Sequence, residues 1–153
     1  MKRRPELQPL SREHHDGLLF SWKIRQGLKN NTSLDSLASF TGWYWKNHIR
    51  PHFFQEEKIL FACLPDHPMM SRVKAEHDLI RELVINIDQD PDSMDMIRLA
   101  DIMETHIRFE ERELFPSLET QLSPSQLAEV KEKLDKHSVS CEIWTEEFWR
   151  RRA

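Results

Sequence analysis

The chain is poor in the residues that tight turns and disulfide frameworks need. It has three glycines in 153 residues, and strand-rich folds use glycine for turns and bulges. Its two cysteines, Cys63 and Cys141, lie far apart and form no CxxC pattern. No apolar run reaches the roughly 18 to 20 residues that a membrane-spanning helix needs. These absences favour helix, argue against a disulfide framework, and give no sign of a membrane protein.

The charge balance gives no reason to expect a nucleic-acid partner. The net charge is -4 and the isoelectric point is about 6.1, whereas nucleic-acid binding relies on basic surfaces. The first residues are basic, but no apolar segment follows them, so we expect no secretory signal peptide and a cytoplasmic protein. The length suits a single domain over residues 1–153, with a core at about 10–121 and a short helix and tail at 122–153.

Helical periodicity extends over most of the chain. Apolar spacing and turn residues predict long helices at about 9–29, 33–64, 69–88 and 93–121, followed by a shorter helix at about 124–136. We therefore expect an all-α fold, an up-down-up-down four-helix bundle with a short additional C-terminal helix and a tail. Pro51 lies inside the second long helix and predicts a kink or a break just before His52.

The C-terminal segment SVSCEIWTEEFWRRRA combines Trp144, Phe148 and Trp149 with a basic end. We interpret it as a helical or extended tail that caps the bundle. The alternative is a segment that binds a partner protein or forms a dimer.

One motif occurs twice. Residues 52–64 read HFFQEEKILFACL and residues 106–118 read HIRFEERELFPSL. In each copy a histidine precedes a glutamate by four residues, His52 with Glu56 and His106 with Glu110. Four helical residues rotate by a net angle of roughly 40°, so each pair shares one helix face. A metal ion against that face could take an imidazole nitrogen and a carboxylate oxygen together.

The second glutamate of each copy, Glu57 or Glu111, points roughly 100° away from the first. We expect these side chains to be solvated or to support the ligands from behind.

Each of the other two long helices offers a histidine. His77 lies on the apolar stripe of the third helix, and the first helix offers His14 and His15. Counted from His15, the apolar residues at helical spacing are Leu18, Leu19 and Trp22. We therefore expect His15 to point inwards, with His14 as the alternative.

Together these positions form a candidate metal site. Six donors are too many for one tetrahedral zinc ion, and they divide over two metal ions with two histidines each and both glutamates bridging. Imidazole and carboxylate without thiolate suit iron, manganese or zinc. The competing interpretation is a set of hydrogen-bonded core histidines with partly exposed glutamates, but two buried unpaired carboxylates would cost several kcal/mol each. The candidate ligands are His15, His52, Glu56, His77, His106 and Glu110.

Four segments resemble the hemerythrin-like proteins, also called the HHE cation-binding domain: REHHDGLLF at 12–20, HFFQEE at 52–57, AEHDLI at 75–80 and HIRFEERELFP at 106–116. The resemblance implies a four-helix bundle in which these six residues hold two non-haem iron ions, with an oxo, hydroxo or water bridge. Members of the family bind dioxygen, respond to nitric oxide or iron, or repair damaged iron sites. A small diatomic or peroxide ligand is therefore implied.

The chain departs from the oxygen-carrying hemerythrins that it resembles. It has Val73 where they have a fifth histidine, and Glu110 where they have an aspartate one position later. Four histidines would leave open positions on both irons, which favours redox, sensing or iron-handling chemistry over oxygen storage. His48 is a candidate replacement, but Pro51 intervenes and we expect His48 to support the site or lie at the surface. Whether the protein is an enzyme or an iron- or redox-responsive sensor stays open at this stage.

The chain is rich in aromatic residues around the start of the first copy of the motif. We interpret these residues as ordinary core, with a hydrophobic lining that shields the metals as the alternative. They are Phe40, Trp43, Tyr44, Trp45 and Phe53.

Overall fold

A computed structural model describes residues 2–137 and 142–150, and within these ranges all regular structure is helical. The all-α class is therefore confirmed. The α-helices are α1 (Gln8–Lys29), α2 (Leu34–Tyr44), α3 (Arg50–Gln55), α4 (Met70–Gln89), α5 (Ser93–Phe109), α6 (Phe115–Gln121) and α7 (Pro124–Asp135). The other described helical segments are short. Three are π-helical, at Trp45–Ile49, Glu56–Leu60 and Glu110–Leu114, and two are 3-10 turns, at Pro5–Leu7 and Phe61–Cys63. In the part of the chain that is described, no helix is long and apolar enough to cross a membrane.

The π-helical segments join the shorter helices into two long, continuous helical segments. One spans residues 34–63 and the other spans residues 93–121. Pro51 and Pro116 each lie two residues after a π-helical segment. A proline has no N–H to donate and its ring crowds the preceding turn of an α-helix, and a wider turn just before it relieves both problems. The structure therefore has a π-helical turn before Pro51, within a continuous helical segment, rather than a break.

The helix starts follow local capping chemistry. The Ser33 side chain accepts a hydrogen bond from the backbone N–H of Ser36. Ser123 and Gln126 form a reciprocal capping box at the start of α7. The Asp92 side chain caps α5 by accepting a hydrogen bond from the backbone N–H of Met94. These side chains satisfy backbone donors that the first helical turn leaves free.

The described residues form four long helical elements, namely α1, α4 and the two segments 34–63 and 93–121. They contact one another in a closed ring, in which α1 packs on α5, α5 on α4, α4 on α2, and α2 on α1. Their buried side chains form two apolar clusters. On every long element a buried histidine lies between a residue of one cluster and a residue of the other. The flanking pairs are Leu10 and Phe20 around His14, Ile49 and Ile59 around His52, Val73 and Ile80 around His77, and Met103 and Phe109 around His106. A polar layer thus lies between two apolar layers.

The C-terminal elements cover the two ends of this arrangement. Helix α7 contributes buried side chains to the cluster around Leu60 and Phe115. Residues 142–150 form no regular helix or strand and end in a turn, and Phe148 is buried against Phe40, with a ring-centroid distance of 4.9 Å. The Asn30 amide donates to the backbone carbonyls of Phe148 and Arg150. The described part of the tail therefore packs on the chain itself, whereas residues 138–141, with Cys141, lie outside the described residues.

We expect Phe148→Ala to destabilise the protein by about 3 kcal/mol, because it removes a buried aromatic ring from the core. Ile143→Ala is the matched control in the same segment, since Ile143 is 84% exposed and its truncation should cost less than about 0.5 kcal/mol. Urea unfolding followed by circular dichroism measures both. Equal effects of the two substitutions would contradict the packing of the tail described above.

Candidate metal centre

The inward face of α1 is built on small residues as well as apolar ones. Its buried residues are Leu10, His14, Gly17, Phe20, Ser21, Ile24 and Gly27. A Cβ atom placed on Gly17 would lie 2.5 Å from Ile107 Cδ1, so glycine allows α5 to approach closely. Trp22 is 46% exposed and His15 lies on the exposed side.

The expectation that His15 points inwards is therefore wrong, and His14 takes the inward position. The prediction followed the large apolar residues Leu19 and Trp22, which lie towards solvent. The buried stripe runs instead through Gly17 and Ser21, whose small side chains carry no hydrophobic signal.

The first of two donor groups combines His14 and His52 with Glu56 and Glu110. All four side chains are buried, and one donor atom of each lies within 4.8 Å of the others. His14 Nε2 lies 3.0 Å from Glu110 Oε1 and 3.5 Å from Glu56 Oε2. His52 Nε2 lies 3.3 Å from Glu56 Oε2.

The second donor group combines His77 and His106 with the same two glutamates. His77 Nε2 lies 3.3 Å from Glu56 Oε1, and His106 Nε2 lies 3.0 Å from Glu110 Oε1. The two oxygens of Glu56 therefore face different histidine pairs. This is the arrangement in which a carboxylate can bridge two cations.

The donor set fits metal ions better than it fits hydrogen bonding alone. Several of its buried atoms make no hydrogen bond to any other described residue: both oxygens of Glu56, Oε2 of Glu110, and Nε2 of His52, His77 and His106. A buried polar atom without a partner costs about 1–3 kcal/mol, and more when it is charged. Spacings of 3.0–3.5 Å between donors also suit a shared cation with bonds of about 2.0–2.2 Å.

A second carboxylate lies behind each imidazole. His14 Nδ1 is 3.1 Å from Glu111 Oε2, and His106 Nδ1 is 2.8 Å from Glu76 Oε1, both at hydrogen-bond distance. The other two contacts are longer. They are 3.4 Å from His77 Nδ1 to Glu57 and 3.6 Å from His52 Nδ1 to Glu13. A carboxylate at Nδ1 directs Nε2 towards the centre and makes it a better donor to a metal.

The outer carboxylates follow the internal repeat. Each half of the chain contains a Glu-His pair, and each copy of the repeated motif contains Glu-Glu four and five residues after its histidine. In each half, the glutamate of the Glu-His pair lies behind the histidine of the repeated motif that follows it in the chain. Glu13 lies behind His52, and Glu76 lies behind His106. Glu57 lies behind His77, and Glu111 lies behind His14. The sequence analysis expected these two glutamates to be either solvated or in such a supporting position. The sequence reasoning missed Glu13 and Glu76, although the repeated Glu-His pair was a usable signal.

The cluster holds imidazolium–carboxylate pairs when no cation is bound. Burial lowers the pKa of His52 and of His106, but nearby carboxylates outweigh it and raise the two pKa values to about 9 and about 10. Burial also disfavours ionised Glu56, yet His52 and the other imidazoles hold its pKa well below the ordinary value. Because a metal binds the neutral imidazole, metal binding must release these protons.

The remaining histidines lie outside the two donor groups. His48 stacks on Tyr44 with centroids 4.8 Å apart, and burial lowers its pKa. His67 lies between Pro65 and Pro68, a context that predicts an exposed side chain, yet it is buried and lies 2.9 Å from Ser117 Oγ. His137 is exposed. Val73 is fully buried in an apolar cluster and offers no donor.

A comparison with protein-family models matches residues 8–118 to the hemerythrin HHE cation-binding domain. Neither the comparison with curated proteins nor the comparison with solved structures gives a match. The family match covers all four segments that carry the candidate donors. By this match over most of its length, the chain belongs to the hemerythrin HHE cation-binding domain family.

Proposed function

We propose that this protein is a non-haem di-iron protein that binds or reacts with a small oxidant or gas, such as O2, NO or peroxide, or handles iron. The ligands proposed are His14, His52, Glu56, His77, His106 and Glu110. The helices would form the up-down-up-down four-helix bundle expected from the sequence, and we propose a cytoplasmic location.

The observation that carries the proposal is the pair of donor groups that share both buried glutamates. Each group offers two imidazoles and two carboxylates, a set that suits iron and other first-row metal ions. The shared glutamates favour two ions side by side over two independent sites.

The charge of the cluster favours bound cations. The two inner and four outer carboxylates carry six negative charges when ionised. Three arginines contact the outer carboxylates: Arg3 with Glu111, Arg72 with Glu76, and Arg81 with Glu57. Three negative charges then remain beside neutral imidazoles. One or two divalent ions would offset most of this excess, which is costly to bury uncompensated.

Bound iron would supply redox chemistry and coordination positions open to a small molecule. The protein's own residues supply the donors, hold the imidazoles in orientation through the outer carboxylates, and exclude bulk water. A cavity lined by His14, His52 and His106 reaches the cluster, so a small molecule has a route to it.

Metal analysis of protein grown with iron tests the proposal directly. We expect about two irons per chain, because two complete donor groups are present. The reduced protein, mixed with O2 in a stopped-flow instrument, should change its absorbance within seconds. A protein without bound metal after growth and reconstitution with iron would refute the proposal.

The alternative function is an iron- or redox-responsive sensor without turnover. It is favoured by the position of the donors, which come from all four long elements, so that metal occupancy would tie these elements together. A sensor should bind about two irons but show no rapid reaction with O2. Removal of the iron should instead increase its sensitivity to protease.

Replacing an outer carboxylate should weaken metal binding without removing a ligand. We expect Glu76→Gln to lower metal affinity by about 10- to 100-fold, because His106 loses the carboxylate that orients it. Glu82→Gln is the matched control, since Glu82 is exposed on the same helix. Competition with a chromophoric chelator measures both affinities. Unchanged affinity in Glu76→Gln would show that the contact at Nδ1 of His106 does not support the site.

A further inference from the structure

A cavity of about 170 Å³ lies beside the donor cluster. The imidazoles of His14, His52 and His106 form its polar floor. Most of its remaining wall is apolar, formed by Ile49, Phe53, Met103 and Ile107. Gly17 also lines the cavity.

The cavity is much larger than a diatomic gas requires. A water molecule takes up about 30 Å³ of liquid, and an engineered apolar cavity of about 150 Å³ in another protein binds benzene. A volume of about 170 Å³ therefore has room for a six-membered ring, or for a branched molecule of similar size.

Other polar groups also line the cavity. They are Glu13, Asp16, Tyr44 and His48. Burial raises the pKa of Tyr44, so its phenol stays neutral and can donate or accept a hydrogen bond. Apolar walls with a few polar groups are typical of sites for uncharged small molecules.

A second cavity of about 350 Å³ borders the first. The two cavities share Asp16, Tyr44 and His48. The outer wall of the second cavity comes from the C-terminal segment, with Ile143, Trp144 and Trp149. This segment lies beyond the residues matched to the family, 8–118.

We propose that the inner cavity is a binding site for a small uncharged organic molecule of up to about the size of a benzene ring. Tyr44 separates this site from the outer cavity and limits the size of the ligand. The ligand would lie against the imidazoles of His14, His52 and His106. The inference goes beyond the proposed function, because the cavity and its lining do not depend on which metal the cluster holds.

Methyl NMR of the full-length chain tests the proposal, with benzene and indole as probes. In protein without added metal, and again with zinc, benzene should shift the methyl signals of Met103 and Ile107 in a saturable manner. The methyl group of Ile85, which is 55% exposed on α4, should not move. Indole should bind at least about tenfold more weakly than benzene, because Tyr44 restricts the space.

Two substitutions with opposite expected effects accompany this measurement. Ile107→Trp fills the cavity and should weaken benzene binding by about tenfold or more, whereas Ile85→Trp should leave it unchanged. Tyr44→Ala joins the two cavities and should strengthen indole binding by about tenfold, a gain that a misfolded protein would not show.

Absence of a saturable benzene shift in the wild-type chain would overturn the proposal. Unchanged benzene affinity in a folded Ile107→Trp protein would do the same, and a Tyr44→Ala protein that gains no indole affinity would overturn the role of Tyr44. The measurement in protein without added metal separates this inference from the proposed function. A chain that binds benzene but no iron would refute only the latter.

Discussion

His14→Ala is expected to reduce the metal content of the protein from about two ions per chain to about one, because the substitution removes one of two imidazoles from the first donor group. His14 Nε2 lies 3.0 Å from Glu110 and 3.5 Å from Glu56, which places it among the central donors. The second group, with His77 and His106, keeps all four donors. Inductively coupled plasma mass spectrometry on protein reconstituted with iron gives the stoichiometry.

The neighbouring histidine provides a control of the same residue type. His15 is exposed on the opposite side of α1, so His15→Ala should keep about two ions per chain and change stability by less than about 0.5 kcal/mol. The reverse result, with metal lost in His15→Ala and kept in His14→Ala, would mean that α1 is rotated relative to the structure described. Equal loss in both variants would point to a folding defect, which circular dichroism would reveal.

Removal of the metal is expected to lower the melting temperature by about 20 °C. A ligand present at about a thousand times its dissociation constant stabilises the folded state by about 4 kcal/mol per site. Two sites would contribute about 8 kcal/mol, and in a domain of this size each kcal/mol shifts the melting temperature by about 2–4 °C. The physical reason is that, without metal, several buried atoms of the cluster make no hydrogen bond to another described residue.

Differential scanning calorimetry before and after treatment with a strong chelator measures this effect. The variant His106→Ala controls for effects of the chelator elsewhere in the protein, because it lacks one proposed ligand of the second group. Its melting temperature should fall less on chelation than that of the wild-type protein. A wild-type melting temperature that stays within about 3 °C after complete metal removal would contradict the stabilising role of the cluster, because it corresponds to only about 1 kcal/mol.

Much of the candidate site was readable from the sequence because it depends on short-range helical geometry. A spacing of four residues places His52 beside Glu56 and His106 beside Glu110 on any helix, and the structure has both pairs buried together. His77 could be placed because the apolar residues around it are large and regularly spaced. The capping residues Ser33 and Ser123 were also predictable, since a cap depends on neighbours in the chain.

The choice between His14 and His15 depended on packing between helices. The two side chains differ by about 100° around α1, so the orientation of the whole helix decides which one enters the cluster. In the orientation that the structure has, Gly17 faces Ile107 on α5, whose Cδ1 would lie 2.5 Å from a Cβ atom at position 17. A glycine contributes nothing to an apolar pattern, whereas the exposed Trp22 contributes strongly, and the pattern therefore pointed to the wrong face.

The sequence by itself determined the helical class, the repeated motif, five of the six buried residues of the candidate site and the family resemblance. Each of these follows from residue type and local spacing. Only the tertiary structure decided that His14 rather than His15 joins the buried cluster, that Glu13 and Glu76 lie behind histidines on other elements, and that the described part of the tail lines the outer of two neighbouring cavities. The physical reason is that these features join residues far apart in the chain, and their contacts depend on how the helices rotate and pack against one another.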